Sequence, residues 1–324
     1  MPAPPESAGF QSQFRQRWGH LHDPHVRTLA WLLDAPDLLD ASAPCWQGRI
    51  AGIGALSAAT ADWLTALDRA PAELHAFLAI PPSGIAPFTR LGRYAEKLLA
   101  FYLHRQGCLV AHGLQVRADA GTTIGEFDFL LRDGAALVHW EFATKLYLLE
   151  PSGDGRHADY FVGPNLADTL GAKIRKIMDR QLALSTHPAA QAVLPEPVAA
   201  AQALVKGWLF YHGATPLPPS GVSGAHCRGF WCTLDEFRAG PELTAAILPR
   251  LDWLAPARLP ELAGSSRDAL AAQLDARFAG DHMPQLVALL APHDGWMVEI
   301  DRGFVVPNDW RRRAARRTAE TCAK

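Results

Sequence analysis

The dipeptide Asp133-Gly134 constrains this chain more than any other feature, because it separates two stretches whose side chains alternate in register. Asp-Gly is favoured in two-residue type I′ hairpins, and the flanking runs TTIGEFDFLLR and ALVHWEFATKLYLL carry the β-branched and aromatic residues of strands. With those two residues as the turn, Arg132 faces Ala135, Asp128 falls opposite His139, and Glu126 falls opposite Glu141. Alternation then places Glu126, Asp128, His139, Glu141, Ala143 and Lys145 on one face. Phe127, Phe129, Leu131, Trp140, Phe142, Leu146 and Leu148 share the other, and a one-residue slip would scramble that apolar set.

In this register Asp128 and Glu141 are diagonal neighbours with Cα atoms about 7 to 8 Å apart, near enough to share one Mg²⁺ whose ligands sit at roughly 2.1 Å. Without a cation, Glu126, Asp128 and Glu141 crowd like charges, which a metal or Lys145 would relieve. A salt-bridged, solvent-facing sheet side gives the same pattern without chemistry. Coverage divides the two readings. The strands lie between two long helical stretches and the third is long and apolar, as interior strands are, so the acids are expected to be covered.

The chain has 324 residues, enough for two domains or one large core with additions. Residues 1–80 read as short helices in which apolar clusters alternate with Pro and Asp caps. The segment LGRYAEKLLAFYLHRQG reads as a helix ending near Gly107, followed by three strands, a long helix over NLADTLGAKIRKIMDRQLALS and a strand ALVKGWLFYH. The core order over 81–215 is therefore α-β-β-β-α-β. TPLPPSGVSG marks a boundary, and 216–324 reads as an α+β region with strands at HCRGFWCTL and WMVEIDRGFVV and helices at ELTAAILPRL, SRDALAAQLDARF and MPQLVALLA. The tail DWRRRAARRTAETCAK reads as a solvated helix or a nucleic-acid contact.

Five scattered cysteines suit reduced thiols, and the Cys227/Cys232 spacing is not that of a zinc knuckle. His20, His22 and His25 lack a carboxylate or thiolate at ligand spacing. No run approaches the roughly 20 apolar residues of a membrane helix, and the opening residues lack an apolar signal core, so a cytoplasmic protein is expected. The net charge of −2 argues against wholesale capture of nucleic acid while allowing a local basic groove.

The motifs GEFDFLL and HWEFATK, in an α-β-β-β-α-β order, resemble the PD-(D/E)XK nuclease superfamily, and further wording (LGRYAEKLL, GPNLADTL, KGWLFYHG) resembles an uncharacterised bacterial domain family placed in it. The resemblance implies a restriction-endonuclease-like mixed α/β sheet. It further implies Mg²⁺ or Mn²⁺ on Asp128 and Glu141, with Lys145 activating or positioning water, Glu96 as the first-helix acid and Gln181 after the motif. One departure stands out: the family lysine follows the glutamate by two residues, where this chain has Ala143, and Lys145 stands four on, its Cα roughly 13 Å from that of Glu141.

The expected activity is metal-dependent hydrolysis of nucleic-acid phosphodiesters, DNA ahead of RNA. Glu126 is expected as a further metal ligand, and Thr169, Lys173, Lys176 and Arg180 form a helix stripe that reads as a solvated face opposite Leu170, Ile174, Ile177 and Leu182, whose three cations could also track phosphates. Two alternatives stay open: a catalytically decayed binding module on the same scaffold, or a structural or protein-interaction role.

Overall fold

The computed structural model describes residues 9–81, 87–118, 122–152, 155–213 and 216–322, with side chains through 319. Residues 1–8, on which the export reading partly rests, Thr215 at the head of the expected boundary and the last two tail residues lie outside the described residues.

The N-terminal stretch forms α1 (Phe10–Trp18), α2 (Pro24–Asp34), α3 (Ala58–Arg69) and α4 (Ala72–Phe77), short helices as its capped clusters predict. Asp23 caps α2 by accepting from the His25 and Val26 N–H groups, with Pro24 pre-set for the first turn. The nearby histidines go separate ways: His20 meets Thr65, His22 lies against Trp296, and His25 meets the Tyr94 hydroxyl at 2.7 Å.

Next come α5 (Leu91–Arg105), β1 (Leu109–Arg117), β2 (Thr123–Asp133), β3 (Ala136–Leu149), a short β4 (Phe161–Val162), α6 (Leu170–Lys176), α7 (Pro188–Gln191) and β5 (Val198–Tyr211). The main elements follow the expected order of helix, three strands, helix and strand. The remainder holds β6 (Cys227–Thr233), α8 (Leu234–Arg238), β7 (Thr244–Ile247), β8 (Arg258–Pro260), β9 (Ser265–Ser266), α9 (Arg267–Gly280), β10 (Gln285–His293), β11 (Trp296–Val306) and α10 (Trp310–Cys322).

One mixed sheet runs through all of this, in the order β1-β2-β3-β5-β6-β11-β10-β7-β9, with β4 on β3 and β8 on β11. The stretches 81–215 and 216–324 thus share a sheet, because β5 and β6 pair in parallel across the Pro/Gly-rich connection. Residues 1–80 join it too: Leu38 donates its N–H to the Val205 carbonyl and Ile50 bridges Ala203. A single core cluster spans Trp31 and Trp208, stacked at 6.4 Å, and continues to Trp253, Phe304 and Trp310.

Two expected helices are strands. ELTAAILPRL contains β7 and MPQLVALLA contains most of β10, which lies between β7 and β11. An interior strand buried on both faces reads as a continuous apolar run, which periodicity alone does not separate from a helix. Asp294-Gly295 was the available signal. Both residues take positive φ, 48° and 75°, and His293 pairs with Trp296 across them in a two-residue hairpin.

The first hairpin also differs in register. Asp133 pairs with Ala136, so the turn residues are Gly134 and Ala135, and Phe129 pairs with Trp140. Gly134 alone takes the positive φ, +57°, as the first residue of the turn. The shift is by two residues, so each side chain keeps its face. Continued by one step, the register sets Asp128 directly opposite Glu141 rather than on the diagonal.

Candidate metal and phosphate site

β3 has two unlike edges. On one it pairs in parallel with β5 from Leu137 to Leu148. On the other it pairs with β2 from Ala136 to Trp140 and with β4 at Leu148 and Leu149, leaving residues 141–147 without a strand neighbour among the described residues. A cleft of about 870 Å³ opens along that gap, lined by all seven of those residues together with Arg90, Arg93, Glu96, Glu126, Asp128, Asp168, Lys173, Lys176 and Arg250. Where β2 leaves the ladder, the Asp128 carboxylate replaces it, accepting the Phe142 N–H at 2.9 Å.

Four carboxylates gather at this break. Single oxygens of Glu96, Glu126 and Asp128 lie within 4.8 Å of one another. Glu96 accepts from His112 at 2.9 Å, and Arg93 reaches both Glu96 (3.4 Å) and Glu126 (3.1 Å). Glu141, 2% exposed, accepts from the Gln181 side-chain N–H through Oε1, while its Oε2 is buried without a hydrogen-bond partner among the described residues. Burial, and after it the Asp128 charge, pushes the Glu141 carboxyl up to about 9. Burial likewise raises Asp128, opposed by the Phe142 N–H. His139, fully buried 4.0 Å from Glu141 Oε2, has no hydrogen-bond partner at either ring nitrogen among the described residues, and burial lowers it to about 4.

The cation beside Glu141 is Lys173. Its ammonium donates to Gln181 Oε1 at 3.0 Å, and burial lowers its pKa while the Glu141 charge raises it. The helix that carries both is not uniform: α6 gives way to a π turn over Ile177–Gln181 and a 3₁₀ stretch over Leu182–Thr186. In a regular helix, positions eight apart sit about 80° apart around the axis, and one inserted residue brings them within about 20°. The π turn therefore aligns Gln181 with Lys173. By the same insertion Arg180, expected on the Lys173 face, is turned away: it is exposed and lies outside the cleft lining, whereas Lys176 lines it.

Lys145 lines the cleft but is engaged elsewhere. Its ammonium donates to Asp168 Oδ2 at 3.0 Å, and the Tyr147 hydroxyl donates to the same oxygen at 3.0 Å. Lys145, expected to activate or position water at Asp128 and Glu141, is thus held by Asp168 of the Gly163–Asp168 loop.

Against family models, residues 27–306 match the family described as Domain of unknown function (DUF1853). The chain belongs to that family. Neither the comparison with curated proteins nor that with solved structures returns a match.

Within this DUF1853 chain, sequence reasoning brought together Asp128, Glu141, Glu126, Glu96 and Gln181, all of which meet at the break in β3. It does not reach the pairing of Lys145 with Asp168 or the bridging Arg93, although RYAEKLL and GPNLADTL hold Arg93 and Asp168. It also missed Arg250, Trp253 and Met283, which the C-terminal half contributes to the cleft. No local pattern announces those three, since they reach the cleft only through the shared sheet. Among the described residues of the DUF1853 chain, no helix is long and apolar enough to cross a membrane.

Proposed function

We propose that the cleft is the active site of a Mg²⁺- or Mn²⁺-dependent phosphodiesterase acting on nucleic acid, on a core resembling the PD-(D/E)XK nucleases. The observation that carries this reading is the break in the β3 edge, which brings Asp128 and Glu141 to an open cleft with one Glu141 oxygen buried and unpartnered. An orphaned buried carboxylate oxygen beside another acid is costly unless a proton or a cation completes it, and a cation serves both acids at once. Hard oxygen donors suit a hard divalent ion, which Asp128 and Glu141 would hold with Glu126 beside them. Such an ion supplies Lewis acidity and lowers the pKa of water.

The chain's own groups supply the rest. Lys173, held by Gln181, sets an ammonium beside Glu141 where it can donate to a phosphoryl oxygen or orient the attacking water. Glu96, fixed by His112, and Glu126 are placed to orient water on the α5 side. Arg90, Lys176 and Arg250 line the cleft without a carboxylate partner among the described residues and are placed to meet phosphates. The order α5-β1-β2-β3-α6-β5, with one acid on the second strand and one on the third, supports the fold resemblance.

The test is incubation of purified protein with single- and double-stranded DNA and RNA in Mg²⁺, Mn²⁺ or EDTA. Cleavage that requires the metal and disappears in Asp128→Ala and Glu141→Ala is the expected result. Binding of nucleic acid without turnover would mark a decayed module, a reading favoured by Ala143 and by the engagement of Lys145. Absence of cleavage together with absence of calorimetric Mn²⁺ uptake would overturn the proposal.

A further inference from the structure

We propose that a second cleft, walled by α1, the segment 256–258 and the β10–β11 hairpin, binds a small organic carboxylate. The cleft has a volume of about 610 Å³, and among the described residues it shares no lining with the cleft at the β3 edge.

Two arginines of its wall meet on one carbonyl. Arg27 donates to the Trp18 and Leu21 carbonyls at 3.2 Å each and to the Pro256 carbonyl at 2.9 Å. Arg258 donates to the Gly19 carbonyl at 2.9 Å and to the same Leu21 carbonyl at 3.0 Å. Two like charges are thus held side by side, and neither has a carboxylate partner among the described residues. Glu299, the buried acid of the wall, is engaged by Arg302 at 2.6 Å and by the Ala257 N–H at 2.8 Å, and Asp294 stands exposed at the mouth, 3.4 Å from His293. Burial, and after it the Arg258 charge, lowers Arg27 to about 10, against the weaker pull of Glu299 and Asp68. An anion beside the pair offsets the repulsion and the desolvation together.

The same wall carries N–H donors that no described residue meets. Arg258 engages its carbonyls through Nη1 alone, which leaves its Nε and Nη2 edge without a partner among the described residues. Stacking over the Trp296 ring at 4.1 Å fixes the plane of that guanidinium. A guanidinium edge of this kind is a two-donor fork that matches the two oxygens of a carboxylate. Gln11, on α1 and 5% exposed, has its Nε2 buried with no hydrogen-bond partner among the described residues. A buried amide N–H costs free energy until an acceptor completes it. One fork and one amide suffice for two oxygens, whereas a phosphate would keep a third oxygen unmet. Phe14, Pro256, Trp296 and Val298 supply an apolar wall for the body of the ligand, in a cleft of the size that takes small molecules.

The experiment is ligand-observed NMR on the purified full chain, with benzoate, cyclohexanecarboxylate, their carboxamides and phenyl phosphate as probes. The proteins are wild type, Gln11→Leu, Arg258→Gln and, as a control for loss of charge alone, Arg105→Gln at the C-terminal end of α5. Both carboxylates should bind wild type while their carboxamides do not, and affinity should fall about 10-fold or more in Gln11→Leu and in Arg258→Gln with Arg105→Gln unchanged. Arg258→Gln also removes the bonds to Gly19 and Leu21, so its melting temperature is read alongside. Gln11→Leu removes no Nε2 bond and decides the matter if Arg258→Gln does not fold. Binding of neither carboxylate by wild type, equal binding of the carboxamides, tighter binding of phenyl phosphate, or unchanged affinity in Gln11→Leu would overturn the proposal.

Discussion

Gln181 donates its side-chain N–H to Glu141 Oε1 while accepting the Lys173 ammonium at 3.0 Å, so one amide from a π turn orders both charges beside the acid pair. Gln181→Ala removes that order without removing either charge. Loss of an outer partner of this kind typically weakens metal affinity or activity by about 10- to 100-fold. Calorimetric Mn²⁺ titration should show the weakening while the melting temperature stays near that of wild type. Undiminished affinity would mean that the amide does not orient Glu141.

The two lysines should separate in kinetics. Lys173→Ala removes the ammonium beside Glu141 and should slow cleavage about 100-fold or more. Lys145→Ala frees Asp168 and the Gly163–Asp168 loop and should change the rate only a few-fold. Steady-state rates on a fluorescent oligonucleotide decide the matter, and equal losses would place Lys145 back at the acids.

Glu141 gives a pH signature. Its carboxyl is raised in the folded protein to about 9, whereas in the unfolded chain it titrates near the usual carboxylate value. Between those values the unfolded state has lost a proton that the folded state keeps, so stability falls as pH rises, by about 1.4 kcal/mol per unit at most. Below roughly pH 4.5 this penalty is absent, and above about pH 9 it stops growing. Glu141→Gln should therefore stabilise the metal-free protein by a margin that widens across this window, as read by urea melts at several pH values. A margin independent of pH would show that Glu141 is not raised.

The C-terminal half carries its own buried pair. Arg302 is fully enclosed and donates to both Glu299 oxygens and to the Trp253, Leu254 and Ala255 carbonyls. Arg302→Met strands the Glu299 charge and should cost about 3 to 5 kcal/mol. Adding Glu299→Gln should recover part of that loss in denaturant melts. No recovery would assign the cost to the three carbonyls instead.

Much of the site was legible in local pattern because strand alternation has a period of two. Asp128, Glu141 and Glu126 share a face in any register of the right parity, and the observed shift of two residues left that unchanged. The C-terminal strands were less legible: β10, apolar on both faces, has no periodicity to distinguish it from a helix.

By itself, then, the sequence determined the order of the core elements and which side chains look toward one another across the first hairpin, since backbone geometry forces both. Tertiary structure decided which cation stands beside the acids. A π turn, invisible in composition, rotates Gln181 in and Arg180 out, and the Gly163–Asp168 loop engages Lys145. Such choices depend on contacts between elements distant in the chain, whose geometry no spacing along it records.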